Sequence, residues 1–344
     1  MDFGFTEEEE LFREEVRQWL KEEIPQRWIE LDAGLWEETD ESWELSRQFQ
    51  RKLGQKGWLA PAYPREYGGS EMSHLKRLIL AEEMAYNRAP IGIEAEISVN
   101  WVAPTIILFG TEKQKKDYVL GISKGDLIFC LGYSEPNAGS DLASLQTRAV
   151  EDGDDYVING QKTWCSFAHY ADYCWLGART DPDAPKKHRG ISTFVVDMKT
   201  PGISVRPLIN ILNRHSFNEV FFDDVRIPKD NLVGEKNRGW YQLVMALDFE
   251  RSLIGIAALN QRMIEELVQY VNETKRNGDT LANEPLIKNE LAELAVENEV
   301  LRMMCYRIAW MYSKNLHPSY ESSMSLLFTS ELERRLANVG MRIL

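Results

Sequence analysis

The chain has little with which to build a metal centre, a disulfide framework or a membrane anchor. Its four cysteines, Cys130, Cys165, Cys174 and Cys305, show no CxxC spacing and lie in apolar stretches, which reads as reduced core thiols. The five histidines, His74, His169, His188, His215 and His317, are too scattered in sequence to suggest a ligand cluster. No apolar run approaches the ~20 residues of a membrane span, no secretory signal opens the sequence, and no repeat or low-complexity linker interrupts it. Positive charge is in deficit, with 40 Lys and Arg against 54 Asp and Glu and a net charge of -14. That balance argues against nucleic acid or an anionic membrane as the main partner, and a cytoplasmic location is the expectation. What is present is ordinary for a globular chain: 344 residues, 44% hydrophobic and 27% charged, enough for about two to three domains with a substantial core.

The hydrophobic period changes twice along the chain. Thr6 and Glu9 form a capping-box pattern ahead of Leu11, Phe12, Val16, Trp19 and Leu20, so an amphipathic helix is expected at the start. Further helices are expected at Ser42 to Leu53, His74 to Asn87, Ala103 to Phe109 and Glu112 to Ile122. From about Ile128 short apolar runs take over, at Tyr173 to Ala178, Ile191 to Val196, Ile203 to Val205 and Glu219 to Phe222, with turn signals at Asp152-Gly153 and Asn159-Gly160. Helical spacing returns after Gly239 in three long segments, Trp240 to Asn272, Pro285 to Tyr312 and Glu321 to Leu344. The expectation is an α+β chain: an N-terminal helical domain over 1–125, a middle β-barrel-like domain over 126–238 and a C-terminal helical bundle over 239–344. Three long apolar helices exceed what one small β domain can cover, so an oligomer is expected.

Two constellations carry chemistry. The first is the polar loop Tyr133-Ser134-Glu135-Pro136-Asn137-Ala138-Gly139-Ser140-Asp141, followed by Trp164-Cys165-Ser166. Pro136 and Gly139 forbid regular continuation of the Ile128 to Leu131 strand, leaving backbone N–H groups and hydroxyls to face a ligand. Asn159-Gly160 is expected to turn the chain back, and Trp164 and Ser166, two apart, would share one face of a strand. Taken singly, the run is an ordinary solvated turn and the Trp an ordinary core residue. The second is Leu247-Asp248-Phe249-Glu250-Arg251-Ser252-Leu253-Ile254. On a helix Glu250 emerges from the apolar stripe of Ala246, Leu247, Leu253 and Ile254, while Asp248 and Arg251 can pair on another face. A carboxylate there needs a partner or a task, and desolvation suits it to proton abstraction. A structural salt bridge is the alternative.

Together the loop and the Trp-x-Ser strand resemble the flavin-binding segments of the acyl-CoA dehydrogenases, in which an aromatic-Ser/Thr-Glu-Pro turn ends one strand and a Trp-x-Ser/Thr strand follows. The resemblance runs from Phe5 to the last residue. It implies an FAD-dependent α,β-dehydrogenation of an acyl-CoA thioester, with Tyr133 and Ser134 at the flavin ring edge, Trp164 against the ring, Ser166 near its N5 and Ser140 on the CoA arm. In one subset of the family the base is a Glu immediately before an Arg on the last-domain helix, which implies Glu250 here, with Arg251 on the substrate side. Lys187, in the basic run Lys186-Lys187-His188-Arg189, is a candidate for the CoA phosphates, although a solvated loop is the commoner fate of such runs. Trp101 lies near the segment that lines the acyl pocket in relatives; a core role is the alternative. An electron-transfer flavoprotein is the acceptor, and a homo- or heterotetramer the assembly, that the resemblance implies.

The chain departs from the family pattern in two places. Where relatives carry an Arg followed shortly by Phe-Gly that reaches the FAD across a subunit interface, this chain reads Lys275-Arg276-Asn277-Gly278-Asp279-Thr280-Leu281, with Arg276 but no Phe. A different subunit would then supply distal FAD contacts. The wording of Gly132 to Pro136, Val102 to Ile106 and Lys186 to Ser192 is most like subunits of heterotetrameric steroid side-chain dehydrogenases. The sequence also stops at Leu344 within an apolar helix that lacks a stop signal, so a C-terminal truncation is expected. Two other functions remain open at this point: a flavin monooxygenase or oxidase on the same architecture, and a non-catalytic subunit of a heteromer.

Overall fold

The computed structural model describes residues 4–31, 39–248, 253–316, 318 and 320–344, with the backbone alone at 93 and 245–248. Its contacts gather into two units. The first comprises Met1–Ile24, Met72–Ala89 and Arg251–Leu344 and is helical, with helices Glu7–Glu23, His74–Tyr86, Ile254–Glu273, Pro285–Ser313 and Tyr320–Ile343. The opening helix begins with the expected capping box: Thr6 accepts from the Glu9 amide while the Glu9 carboxylate takes the Thr6 amide. Leu78, Ile254, Ala257, Leu294, Leu301, Leu332 and Leu336 form its core. One ionic cluster is sunk into it, in which Arg13 meets Glu82 at 2.7 Å and Glu83 at 2.6 Å, and Arg302 and Tyr306 bond Glu82 at 2.7 and 2.9 Å. Each buried charge there has an opposite partner, the condition under which such charges are tolerated. The segment expected to be helical from Trp240 to Asn272 is described as two helices, Gly239–Asp248 and Ile254–Glu273. No helix among the described residues is long and apolar enough to cross a membrane.

The second unit comprises Pro25–Glu71 and Pro90–Glu250. It holds the strands β1 Phe129–Gly132, β2 Arg148–Asp152, β3 Asp155–Ser166, β4 Tyr173–Arg179, β5 Ile191–Asp197, β6 Ile203–Leu208, β7 Phe217–Pro228 and β8 Leu232–Val233. The sheet runs β6-β7-β3-β2-β4-β5-β8, and β1 lies parallel to β4. Its core is Cys130, Ile158, Cys165, Cys174, Leu176, Phe194, Val196, Val220 and Val225, and all four cysteines of the chain are buried free thiols. The mixed α+β class expected from the change of period holds. Two π-helical turns, Ile97–Val102 and Lys115–Val119, interrupt the helices that precede β1.

Asn159-Gly160 is not the turn its wording suggests. The reversal occurs earlier, at Asp152 to Asp155, where Gly153 takes a positive φ of 61°, and β3 then continues through Asn159-Gly160, opposite a bulge in β7 at Asp223-Asp224 that shifts the register between Ile158 and Gly160. Tertiary pairing wins over the local turn preference because Asn159 is occupied sideways: its amide donates to Asp224 at 2.9 Å and its oxygen accepts the Asp224 N–H at 3.0 Å. Gly160, with φ 152°, is required, since a Cβ would lie 2.7 Å from Thr147 Cα and 2.5 Å from Thr147 Oγ1. Gly160→Ala should therefore destabilise the protein by about 1–3 kcal/mol, measurable as a lower midpoint in urea at unchanged slope.

Candidate functional site

The polar loop after β1 is shaped from beneath by two buried charges. Lys162, fully enclosed within β3, donates to the Tyr133 carbonyl at 3.0 Å and to Glu135 Oε1 at 2.8 Å. Glu135 also accepts the backbone N–H groups of Gln146 at 2.6 Å and Thr147 at 2.9 Å, so one carboxylate joins the two ends of the loop. Burial alone would raise the Glu135 pKa, but the Lys162 charge and these hydrogen bonds together hold it below the usual carboxylate range. Burial likewise lowers Lys162, and Glu135 opposes that. The Thr163 N–H donates to the Ser134 carbonyl at 2.9 Å, fixing the loop to the strand that carries Trp164.

Above this clamp the expected ligand-facing groups come together. Trp164 is 62% exposed between buried Thr163 and Cys165. It sits at φ 61°, where the register of β3 against β7 shifts between Lys162 and Cys165. A left-handed Trp is uncommon and costs free energy; the bulge turns the indole outward, edge-on to Phe217 at 5.9 Å between ring centroids. Ser134 and Ser166 are half-buried, and no hydrogen bond to either hydroxyl forms among the described residues. Tyr133 is buried, its hydroxyl without a partner among the described residues, as are the indole N–H groups of Trp175 and Trp101. Burial pushes the Tyr133 phenol well above its ordinary value. An outward indole, free hydroxyls and orphaned buried polar atoms suit a flat heteroaromatic ligand with polar edges.

The far end of the loop is gathered by Arg179. Its guanidinium donates to the carbonyls of Ala143 at 2.7 Å, Leu145 at 3.0 Å and Lys187 at 3.0 Å. It thereby brings the basic turn Lys187–Gly190 against the loop, where Lys187 meets the Asp141 carboxylate at 3.3 Å, next to exposed Ser140. The two candidates for the CoA arm are thus neighbours. Lys162 and Arg179 escaped the sequence reading, as did the clamping role of Glu135, because these roles depend on pairings far apart in the chain. Arg276 belongs to the helical unit, on the strand Lys275–Arg276, and donates to the Ile343 carbonyl at 3.1 Å. Glu250 and Arg251 lie outside the described residues.

Three family models match nearly the whole chain: the acyl-CoA dehydrogenase N-terminal domain over 6–126, the middle domain over 130–225 and the C-terminal domain over 237–344. The chain belongs to the acyl-CoA dehydrogenase family, a class of flavin-dependent oxidoreductases. Acyl-CoA dehydrogenase FadE26 of Mycobacterium tuberculosis is 38% identical, over 87% of this chain and 75% of its own length. Among solved structures, the Tcur3481-Tcur3483 steroid ACAD superposes with a TM-score of 0.86 at 33% identity, covering 98% of this chain and 86% of that one. The ChsE4-ChsE5 complex from Mycobacterium tuberculosis follows with a TM-score of 0.85 at 35% identity, covering 100% and 86%. The likeness to steroid dehydrogenase subunits expected from the motif wording is met by these structures.

Proposed function

We propose that the protein catalyses the FAD-dependent α,β-dehydrogenation of an acyl-CoA thioester to a 2-enoyl-CoA. The observation that carries this reading is the outward Trp164 indole beside the unpartnered Ser134 and Ser166 hydroxyls, on a loop and strand clamped by Lys162 and Glu135. FAD, when bound, supplies the two-electron acceptor. The chain's own part is to hold the ring with Tyr133, Ser134, Trp164 and Ser166, to orient the thioester through Ser140 and Lys187, and to take the Cα proton on Glu250. Trp101 and Arg251 are assigned to the acyl side, and Arg276 to cofactor contacts. A thioester Cα–H is a weak acid, so hydrogen bonds that strengthen at the carbonyl oxygen as enolate charge grows must lower the barrier. The steroid dehydrogenase neighbours favour a steroid side-chain thioester and a heterotetramer with a sister subunit; an electron-transfer flavoprotein is the physiological acceptor that family membership suggests.

The protein, produced with a sister subunit where one exists, should purify yellow and release FAD on denaturation, and it should bleach anaerobically with its acyl-CoA. Protein that stays colourless with added FAD excludes the reading. Oxygen consumption stoichiometric with turnover would instead assign an oxidase or monooxygenase.

A further inference from the structure

Beneath the Trp164–Ser166 segment lies a group of side chains with no part in the chemistry above. The rings of His169, just past the end of β3, and His215, just before β7, are stacked with centroids 3.8 Å apart and 15° between planes. Asn218, fully buried on β7, reaches both. Its amide nitrogen donates to the Cys165 carbonyl at 3.1 Å and meets His169 Nδ1 at 3.0 Å, while its oxygen lies 2.6 Å from His215 Nε2. These contacts fix the protons. A carbonyl only accepts, so the Asn218 nitrogen must face Cys165; the His169 Nδ1 beside it must then carry a lone pair, and His215 Nε2 a proton.

We propose that Asn218, held between His169 and His215, is the positioning residue that sets the Trp164–Ser166 segment for its ligand, and that it does so only while His169 is uncharged. The inference rests on the reading that a flavin lies against this segment. Trp164 and Phe167 both have left-handed φ values, 61° and 52°, a conformation that persists only where the surroundings over-determine it. Asn218 supplies that constraint from the one residue between Trp164 and Ser166. A proton on His169 Nδ1 would confront the Asn218 N–H and set a cation against the stacked His215 ring. The other groups facing His169 are Asp40, which favours the cation, and the rings of Tyr170 and Phe167, with Tyr170 bonded to Asp40 and stacked on Trp43 at 4.3 Å. Burial first, and His215 second, lower His169 from its ordinary 6.5 to about 4, with Asp40 opposing. A group depressed in this way contributes fully above 6.5 and loses its contribution as pH falls toward 4.

Amide exchange of residues 163–170 in the full chain without flavin tests this. Asn218→Ala should raise local exchange about tenfold or more at pH 7, whereas His169→Gln, whose side-chain oxygen can accept from Asn218, should match the wild type. Lowering the pH to 4.5, with intrinsic rates corrected, should open this segment several-fold in the wild type and not in His169→Gln. In FAD-loaded protein the visible circular dichroism of the flavin should shift over the same range in the wild type alone. Unchanged exchange in Asn218→Ala, the same acid opening in His169→Gln, or a flavin signal indifferent to both changes would overturn the proposal. Should Asn218→Ala fail to fold, the His169→Gln acid comparison decides. The expected exchange results in a protein that never binds FAD would support the positioning role and remove only the functional reading.

Discussion

Glu250→Gln is expected to keep FAD and acyl-CoA binding and to slow flavin reduction by on the order of a hundredfold or more, the usual contribution of a positioned base. The argument is chemical. Dehydrogenation requires a base for a very weakly acidic Cα–H, and Glu250 is the carboxylate proposed for that task from its place immediately before Arg251 in the sequence. Glutamine preserves the shape and removes the basic oxygen. Asp248→Asn should be much milder, since no part in the reaction is proposed for that carboxylate. Stopped-flow reduction with a saturating acyl-CoA separates binding from the proton step; a wild-type reduction rate in Glu250→Gln would place the base elsewhere, on a partner or a further segment.

Lys162→Met should cost about 3–5 kcal/mol, the usual consequence of leaving a buried carboxylate without its partner. Glu135 is only 8% exposed and joins both ends of the loop, so the loss should appear in urea denaturation and as weaker flavin retention together. The double change Lys162→Met with Glu135→Gln should cost less than the sum of the two singles, because it removes the stranded charge. A single-variant cost below about 1 kcal/mol would mean that water reaches the pair. The acid side follows from the lowered Glu135 pKa: its stabilisation is present above the ordinary carboxylate range and is lost as pH falls through its depressed folded value.

Features decided by neighbours in sequence were legible in it. The Thr6 and Glu9 cap, the Ala103–Phe109 helix and the strand Tyr173–Arg179 follow from a cap signature or a period. The polar loop stood out because Pro136 and Gly139 cannot continue a strand. What did not show were features set by register. Asn159-Gly160 has a turn's wording but lies inside β3, and Trp164 faces outward through a bulge that a two-residue period does not anticipate. Lys162, between Gln161 and Thr163, carries no mark of its partner Glu135, and Arg179 gives no hint of the three carbonyls it collects.

The π-helical turn at Ile97–Val102 carries one residue more than a regular helix needs. It is tied to its surroundings at two points: Tyr63 donates to the Val99 carbonyl, and the Ser98 hydroxyl oxygen accepts the Phe129 N–H of β1 at 2.9 Å. A helix turns about 100° per residue, so removing that surplus residue would swing every later side chain to a new bearing, and the orientation of Trp101 relative to β1 is therefore a matter of residue count as much as of residue type. If Trp101 lines the acyl pocket as proposed, homologues differing by a single insertion in this turn would present different walls to the same acyl chain while sharing every chemical group of the site.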